Sequence, residues 1–337
     1  MAKQNTAPTM KDVAKEAGVS LGTVSKVING IPVGDEYRKK VEQAIKALDY
    51  HINAYAKGLK NNRTYTVAVI LPNLLNPFFS MVAHYINRAL VNRGYRMLLC
   101  DTEYDYTKEQ EMVQMAAQNK VDGIIALTYN PDLKIPPDVR SVSIDRYLSG
   151  STTCVASDNY NGGRLAAQKL VENGCKSLAF LRTGSPLASE TNKRRDGFVA
   201  ECEAMQLPCT QKILIDGAPF SESEHFSEFE HFLEENLKDG RLAFDGIFCV
   251  TDKLAVAVIK ALRRMGQRVP EDVQVIGFDG IRMFGSLDYI CSTIVQPVAD
   301  IAEACVSMVL SPDFKGLPSL ICLPVAYADG GTTLPVK

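Results

Sequence analysis

The sequence predicts an N-terminal all-α helix-turn-helix headpiece, followed by an α/β body of two doubly wound parallel-sheet lobes. Apolar residues recur at helical spacing in three short segments of the first 50 residues. From Tyr65 onwards, short apolar strand patterns alternate with amphipathic helix patterns, as expected of parallel sheets covered by helices on both faces. About nine such units are too many for one sheet, so two similar lobes with strand ends facing a cleft are expected.

Charge is divided unevenly between these two parts. Residues 1–63 contain 11 Lys and Arg against 6 Asp and Glu, whereas the remainder contains 26 against 33. A basic segment of this kind is expected to bind a polyanion such as DNA. The acidic body would be repelled by DNA, so only the N-terminal part is predicted to bind it.

The headpiece elements follow from capping and turn residues. Thr9 with Asp12 three positions later forms the capping-box pattern of a helix start. Gly18 permits a tight turn, because a residue without Cβ adopts positive φ cheaply. Ser20 caps a second helix, and a third helix over 35–48 is expected to pack across the first two.

The second helix is predicted to carry a DNA-reading face. One side is small and polar with a single cation, which suits a helix that enters the major groove. The spacing of the turn glycine and the Thr-Val-Ser-Lys run favours a DNA-binding motif over an ordinary helical bundle. The residues on this side are Leu21, Gly22, Thr23, Ser25, Lys26 and Asn29. The basic segment 51–64 that follows is either a plain linker or a short helix that forms only in context.

The body is expected to alternate strands and helices in two similar halves. Strands are predicted at 66–72, 95–101, 121–128, 176–182, 211–216, 245–251, 273–279 and 320–326. Helices are predicted at 76–94, 107–120, 160–173, 193–205, 222–237 and 252–265. The helix over 77–93 is apolar on more than one face, which predicts either a homodimer interface or a core that faces two layers.

Several classes of protein are excluded by what the sequence lacks. No signal-peptide pattern and no apolar run of about 20 residues is present, which predicts a cytoplasmic protein with no membrane partner. The nine cysteines form no C-x-x-C pair and are predicted to be buried thiols in a reducing compartment. The four histidines have no metal-ligand spacing, and no phosphate-loop, nucleophile-elbow or zinc-protease motif occurs. We therefore expect no metal, no cofactor and no enzymatic activity.

Several stretches, in order, resemble the lactose-repressor/galactose-repressor (LacI–GalR) family of bacterial transcription regulators. They are KDVAKEAGVSLGTVSKVING (11–30), NAYAKGLK (53–60), LPNLLNPFF (71–79), VDGII (121–125), SDNYNGGRLA (157–166), RRDGF (194–198) and VPEDVQVIGFDG (269–280). The resemblance implies a headpiece, a hinge helix and a body like the periplasmic sugar-binding proteins. The expected boundaries are 1–50 for the headpiece, 51–64 for the hinge, and 65–337 for the body. Lobe 1 would span about 65–172 and 297–323, and lobe 2 about 173–294 and 324–337.

The resemblance also implies roles at the DNA. The positions that match base-reading residues are Leu21, Gly22 and Lys26, of which Lys26 would supply the polar contact. Leu21 would contact a thymine methyl or pack on the first helix, and the remaining polar residues would bond phosphates. In the hinge, Leu59 matches the residue that wedges open a base step in the minor groove. Its predicted neighbours at the DNA are Asn53, Ala56 and Lys57. Ile52 departs from the family, which commonly has proline there.

A small effector bound between the lobes is the last implication of the resemblance. Arg194 and Asp279 would donate to and accept from the vicinal hydroxyls of a sugar. Phe78 or Phe79 would supply an aromatic wall. Four further residues lie at predicted strand ends: Asp101, Asp158, Thr251 and Asp252. Asp158 and Asp252 are equally well explained as helix N-caps.

These features predict a sequence-specific DNA-binding regulator, most simply a repressor. A homodimer would bind a roughly palindromic operator, and an effector, expected to be a sugar, would change the angle between the lobes and so the hinge. One alternative is a regulator of the same family gated by a phosphorylated carrier protein. Another is a solute-binding protein with the same two-lobed body, which the basic headpiece argues against.

Overall fold

The structure, a computed structural model, divides into two compact units, and the boundary in the chain falls between Thr64 and Tyr65. They are the headpiece and the body, and each is described by itself. The described residues are 8–50, 63–130, 132–148, 153–184, 188–215, 222–285 and 287–335. The predicted hinge helix therefore lies outside the described residues.

The headpiece is a three-helix unit, as the sequence predicts. Its helices are α1 Met10–Ala17, α2 Leu21–Ile28 and α3 Asp35–Ala47. Their inward residues form one small core of Val13, Ala14, Ala17, Val24, Val41 and Ala44. At the start of α1, the Thr9 N–H donates to the Asp12 carboxylate at 2.8 Å, and Gly18 ends the helix with φ of 63°. The capping and turn residues thus set the bounds of the motif.

The body contains two six-stranded sheets and a two-stranded ribbon. The strands are β1 Thr66–Leu71, β2 Arg96–Asp101, β3 Gly123–Ala126, β4 Ser141–Ile144, β5 Thr153–Ser157, β6 Leu178–Gly184, β7 Cys209–Ile215, β8 Leu237–Lys238, β9 Arg241–Leu242, β10 Gly246–Cys249, β11 Gln274–Asp279, β12 Ser292–Val295, β13 Leu320–Leu323 and β14 Ala326–Ala328. The first sheet has the order β13-β5-β4-β3-β1-β2 and the second β14-β12-β11-β10-β6-β7. All pairings within the two sheets are parallel except that of β12 with β14.

Helices cover both sheets, which confirms the predicted architecture of two doubly wound lobes. They are α4 Pro77–Val91, α5 Tyr106–Gln118, α6 Asn159–Glu172, α7 Lys193–Ala204, α8 Glu222–Glu235, α9 Asp252–Arg264 and α10 Val298–Val309. In β1, Val67 and Val69 face the core under α4 and α10, whereas Ala68 and Ile70 face the core under α5. A strand buried on both faces explains why the sequence reads as a continuous apolar run.

Helix α6 belongs to the second lobe, which corrects the predicted boundary at residue 172. Its apolar residues Ala166, Ala167 and Leu170 lie in the core around the second sheet. The helix packs closely against α7 of the same lobe. The change of lobe therefore falls between Ser157, where β5 ends, and Asn159, where α6 begins.

The chain crosses between the lobes at two further points, after β12 and after β13. The second of these explains why the predicted single strand 320–326 is wrong. Pro324 separates β13, in the first sheet, from β14, in the second. Proline lacks the N–H that a continuous strand would donate, so the ladder is interrupted there.

Three strands of the two large sheets, both strands of the ribbon and one helix were not predicted from the sequence. The strands β4, β5 and β12 are short and mix hydroxyl or thiol residues with apolar ones, so they lack a strong strand pattern. All three lie in the interior of their sheets, where their backbone is paired on both sides. Helix α10 has apolar residues on most of its surface and packs between the first sheet and α4.

The second apolar face of α4 is occupied within the same lobe. Phe78, Phe79, Val82 and Ile86 share one core with residues of α10. The helix therefore faces two layers, which is the second of the two explanations expected from its pattern. A homodimer has to be argued on other grounds.

The described residues bear on three sequence-based expectations, which concern the cysteines, membrane-spanning segments and metal ligands. All nine cysteines are free thiols, and seven are buried, but Cys322 is exposed and Cys209 is half-buried. The prediction that the cysteines are buried is therefore wrong for these two. Within the described ranges, no helix combines the length and apolar character needed to span a bilayer, and no cluster of three potential metal ligands occurs.

Candidate functional site

The predicted DNA-reading face of α2 is exposed at its ends and half-buried at its centre. Leu21 is 45% exposed and lies outside the buried headpiece core, and both roles expected for it stay predictions. Gly22, Lys26 and Asn29 are exposed, and Thr23 and Ser25 are half-buried. Lys26 is the one long cationic side chain on this helix.

Hydrogen bonds within α2 engage most of its other polar side chains. Ser20 caps the helix by accepting from the Thr23 N–H at 3.1 Å, and the two hydroxyls are 2.9 Å apart. The Asn29 amide donates to the Ser25 carbonyl at 2.8 Å. Lys26 is therefore the side chain on this face with the greatest freedom to reach a base. The predicted hinge contacts Asn53, Ala56, Lys57 and Leu59 lie outside the described residues.

A cleft in the body separates the two lobes at the carboxyl ends of their strands. It encloses about 1000 Å³ of empty space, including solvent at its mouth. The first lobe contributes Asn76, Phe78, Phe79, Tyr104, Leu127, Tyr129, Asp145 and Arg146. The second contributes Arg182, Thr183, Gly184, Ser189, Thr191, Arg194, Phe226, Val250, Thr251, Lys253, Leu254 and Asp279. A concave site with apolar walls and convergent polar groups is typical of small-molecule binding.

Arg194 and Asp279 face each other at the base of this cleft, as expected for the predicted pair. The Arg194 Nη1 is 3.7 Å from the Asp279 carboxylate, and both side chains are almost fully buried. Arg194 also donates to the Asn159 side chain at 2.7 Å and to the Val250 carbonyl at 2.8 Å. Its guanidinium lies 3.6 Å from the centre of the Phe278 ring. These contacts fix the direction in which Arg194 presents its remaining donors.

Asp279 is linked to both lobes. Gln296 donates to its carboxylate at 2.8 Å and accepts from the Ser157 hydroxyl at 2.7 Å. Burial raises the pKa of Asp279 well above its ordinary value, and the Arg194 charge opposes that rise. Arg194 is therefore the charge that favours the ionised form of this buried carboxyl.

A second bridge between the lobes runs through Arg146. The Glu190 N–H donates to the Asp145 carbonyl at 3.0 Å, and Arg146 forms an isolated antiparallel bridge with Ser189. The Arg146 guanidinium donates to the Thr191 hydroxyl at 3.0 Å. The segment 189–192 of the second lobe is thus held directly against the end of β4.

Aromatic side chains form one wall of the cleft. Phe78 and Phe79 meet edge to face with ring centroids 5.9 Å apart, and Tyr104 lies 5.8 Å from Tyr129. Arg146 stacks over the Tyr129 ring at 4.6 Å. Both of the predicted phenylalanines therefore lie at the cleft, and two tyrosines extend the wall.

Three of the predicted effector residues do not line the cleft. Asp252 is fully buried and accepts from the Ile281 N–H at 2.7 Å and the Thr293 hydroxyl at 2.6 Å, so it holds the second sheet together. Asp158 caps α6 by accepting from the Asn161 N–H. Asp101 accepts from the Leu74 N–H at 3.2 Å. A carboxylate that follows a strand can instead cap the next helix or satisfy other backbone donors. Thr251 both caps α9 and lines the cleft.

Several polar residues of the cleft were not predicted from the sequence, chiefly Asp145, Arg146 and Arg182. Arg182 lies near the end of β6, a strand that was predicted, so the same strand-end argument would have found it. Asp145 and Arg146 follow β4, which was not recognised as a strand. Ser189 and Thr191 lie at the start of and within a single 3₁₀ turn, Glu190–Asn192, which is too short to give a periodic pattern.

A buried carboxyl supports the Tyr129 segment. Glu109 of α5 is 3% exposed, and its side chain hydrogen-bonds with Thr128 and Asn130 on either side of Tyr129. Burial raises the pKa of Glu109 to about 7, and these hydrogen bonds oppose the rise. At pH values between the ordinary glutamate pKa and about 7, Glu109 is protonated in the folded state and ionised in the unfolded state. The free energy of unfolding therefore falls as the pH rises through this range.

We expect Glu109→Gln to flatten this pH dependence. A neutral amide cannot titrate, so the variant should lose less stability than the wild type between pH 5 and pH 8, by up to about 3 kcal/mol. Urea unfolding at the two pH values measures the difference. The exposed Glu111, changed to Gln, is the matched control. Equal pH slopes in wild type and Glu109→Gln would contradict the assignment.

A helix-turn-helix headpiece and a two-lobed body with a polar cleft define a class: DNA-binding regulators that carry their own ligand-binding domain. Residues 9–53 match the bacterial regulatory proteins of the lacI family, and residues 167–312 match a periplasmic binding protein-like domain. The sucrose operon repressor of Pediococcus pentosaceus is 34% identical over 332 residues, which cover 96% of this chain and 99% of that protein. The chain belongs to the LacI family of bacterial regulatory proteins.

Solved structures agree with this assignment. A periplasmic binding protein/LacI transcriptional regulator from Alkaliphilus metalliredigens, in complex with D-xylulofuranose, matches with a TM-score of 0.68 and 27% identity. The match covers 80% of this chain and all of that one. The Lac repressor dimer bound to operator and the anti-inducer ONPF has the same fold, with a TM-score of 0.81 at 22% identity, over 98% of this chain and 100% of that one.

Proposed function

We propose that this protein is a transcriptional repressor that a sugar or sugar-derived effector controls. A homodimer binds a roughly palindromic operator with one headpiece on each half-site, because a single α2 reads only one side of such a site. The observation that carries the proposal is the presence, in one LacI-family chain, of an exposed recognition helix and an inter-lobe cleft with Arg194 and Asp279 at its base. This role requires no catalysis and places the protein with the DNA in the cytoplasm.

The chemistry of the cleft supports a hydroxylated ligand. Arg194 supplies donors and Asp279 an acceptor, which together suit two neighbouring hydroxyls. The rings of Phe78 and Phe79 offer apolar surface for the carbon face of a sugar ring. The relative from Pediococcus is named for a sucrose operon, and the relative from Alkaliphilus was crystallised with a sugar.

Control of DNA binding follows from the position of the cleft between the lobes. An effector that contacts both lobes favours one angle between them, and it shifts the population only by its difference in affinity for the two states. The first strand of the first lobe begins at Thr66, shortly after the hinge segment, so the position of this lobe sets where the hinge ends. Operator and effector then change each other's affinity by the same factor.

The experiment that tests the proposal has two steps. Selection of DNA sequences by the full-length protein should return a site with two inverted halves. Fluorescence anisotropy with that DNA is then repeated in the presence of neutral sugars and sugar derivatives. A sugar that lowers operator affinity supports a repressor released by its effector. Selected sites without inverted halves would contradict the dimer, and DNA affinity unchanged by every sugar would contradict the effector.

Lys26→Ala should relax base discrimination at one position of each half-site. Because Lys26 is the long exposed cation of α2, we expect its loss to weaken the specific complex by about 1–3 kcal/mol. Anisotropy with the selected site and its single-base variants measures both effects. Lys46→Ala, at an exposed position near the end of α3, is the control and should leave the base preference unchanged. A uniform loss of affinity over all sequences would instead assign Lys26 to a phosphate.

A further inference from the structure

The cleft contains more positive than negative side chains. Among the described residues that line it, four are cationic and two are carboxylates: Arg146, Arg182, Arg194, Lys253, Asp145 and Asp279. Both carboxylates already have partners. Asp279 pairs with Arg194, and Asp145 accepts from the Asn159 amide at 3.2 Å. A neutral sugar would bring no opposite charge to Arg146 and Arg182.

Arg182 and Arg146 converge on one part of the cleft. Arg182 donates to the side-chain oxygen of Asn192, and Arg146 donates to the Thr191 hydroxyl at 3.0 Å, so both contact the segment 189–192. The Ser189 hydroxyl lies 2.9 Å from that of Thr191. We call Arg146, Arg182, Ser189 and Thr191 the cationic end of the cleft.

The two arginines of the cationic end lack carboxylate partners within the described part of the chain. Arg182 is 8% exposed and Arg146 9%, yet neither has a carboxylate oxygen within 4 Å there. Burial, followed by the charges of Arg146, Arg195 and Arg194, lowers the pKa of Arg182 to about 10. Buried charges in proteins are ordinarily paired, because an unpaired one carries a large desolvation cost.

We propose that the effector is a sugar carrying an acidic group, a carboxylate or a phosphate, which binds at the cationic end of the cleft. The planar forks of Arg146 and Arg182 match the oxygen pairs of either group, and each fork keeps N–H donors beyond those that bond Thr191 and Asn192. The sugar hydroxyls then meet Arg194 and Asp279. This inference rests on the proposed function and adds the ligand's charge to it.

Matched pairs of sugars test the proposal on the full-length wild-type protein. The pairs are D-ribose with ribose 5-phosphate, D-fructose with fructose 6-phosphate, and D-glucose with both gluconate and glucose 6-phosphate. Inorganic phosphate serves as the anion alone. Calorimetric titration should show an acidic member binding at least about tenfold more tightly than its neutral counterpart. Gluconate against glucose 6-phosphate separates the carboxylate from the phosphate.

Arg182→Gln should weaken binding of the acidic sugar at least about tenfold relative to the wild type. Its affinity for the neutral sugar should stay within about twofold of the wild-type value. Arg268→Gln is the control, because Arg268 is exposed, donates to the Asp272 carboxylate at 2.8 Å and does not line the cleft. The wild-type comparison needs no variant, so it decides the question even if Arg182→Gln does not fold.

Each outcome decides between the two proposals. Neutral sugars that bind as tightly as, or more tightly than, their acidic counterparts would overturn the acidic effector and leave the proposed function standing. If neither acidic nor neutral sugars bind while the protein still binds its selected DNA, the proposal of a sugar effector is wrong. The proposal of an acidic group on that effector is then wrong as well.

Discussion

Arg194→Ala is expected to abolish the effector response and to lower the free energy of unfolding of the body by about 3–5 kcal/mol. Arg194 is the cationic partner of the buried Asp279, which would be left without one. The substitution also removes the hydrogen bonds to Asn159 and to the Val250 carbonyl. The pKa of Asp279 should rise further, because the charge that opposes its rise is gone.

A double variant separates the cost of the unpaired carboxylate from the loss of ligand contacts. In Arg194→Ala/Asp279→Asn, no unpaired charge remains, so we expect part of the stability to return while effector binding stays absent. Urea unfolding measures stability, and titration with the best ligand of the sugar panel measures binding. Both variants should still bind the selected DNA, because the headpiece is a separate unit. Wild-type effector affinity in Arg194→Ala would remove this residue from the site.

Gly163→Ala and Gly197→Ala should each destabilise the body by about 3 kcal/mol or more, because the new methyl groups have no room. A Cβ on Gly163 would lie 2.0 Å from the Arg194 carbonyl oxygen, and one on Gly197 would lie 1.9 Å from the Tyr160 carbonyl oxygen. These atoms belong to backbone, which yields only if α6 and α7 move apart. The obstructing oxygen at Gly163 is part of Arg194 itself, so this separation would also displace the arginine of the cleft.

The same substitution at a helical glycine with space provides the control. A Cβ on Gly22 of α2 meets the Ser20 hydroxyl at an ordinary 3.6 Å. Gly22→Ala should therefore keep or raise headpiece stability, since alanine favours helix by about 1 kcal/mol over glycine. Denaturant midpoints of the three variants give the comparison. A midpoint equal to wild type in Gly163→Ala would mean that α6 and α7 do not approach this closely.

The arrangement of strands and helices was largely readable from the sequence, because a strand buried on both faces gives an apolar run such as that of β1. The parts of the fold that depend on pairing between strands remote in sequence were not readable in this way. The strand β4 is recognisable only once its neighbours β3 and β5 are in place. The two strands around Pro324 belong to different sheets, which no local pattern indicates.

The candidate site was likewise predicted only in part. Arg194 and Asp279 stood out through the family motifs and their place at element ends, and the structure brings them together. Asp252 has an equally favourable position, but its neighbours Ile281 and Thr293 use both carboxylate oxygens. Whether a strand-end carboxylate faces the cleft or a backbone donor depends on segments remote in sequence. The sequence-based prediction therefore overestimated the acidic character of the cleft, and it did not include Arg182, although this residue lies near the end of a predicted strand.

The three crossings between the lobes have a consequence for how the chain is made. Neither lobe is continuous in sequence, because each sheet takes an edge strand from the segment 320–328. The second sheet also depends on Thr332, whose hydroxyl donates to the Val275 carbonyl at 2.7 Å. On the ribosome, the headpiece can fold as soon as its three helices emerge, whereas both lobes wait for the segment 320–328. A nascent chain therefore acquires its DNA-reading surface well before the effector cleft that regulates it.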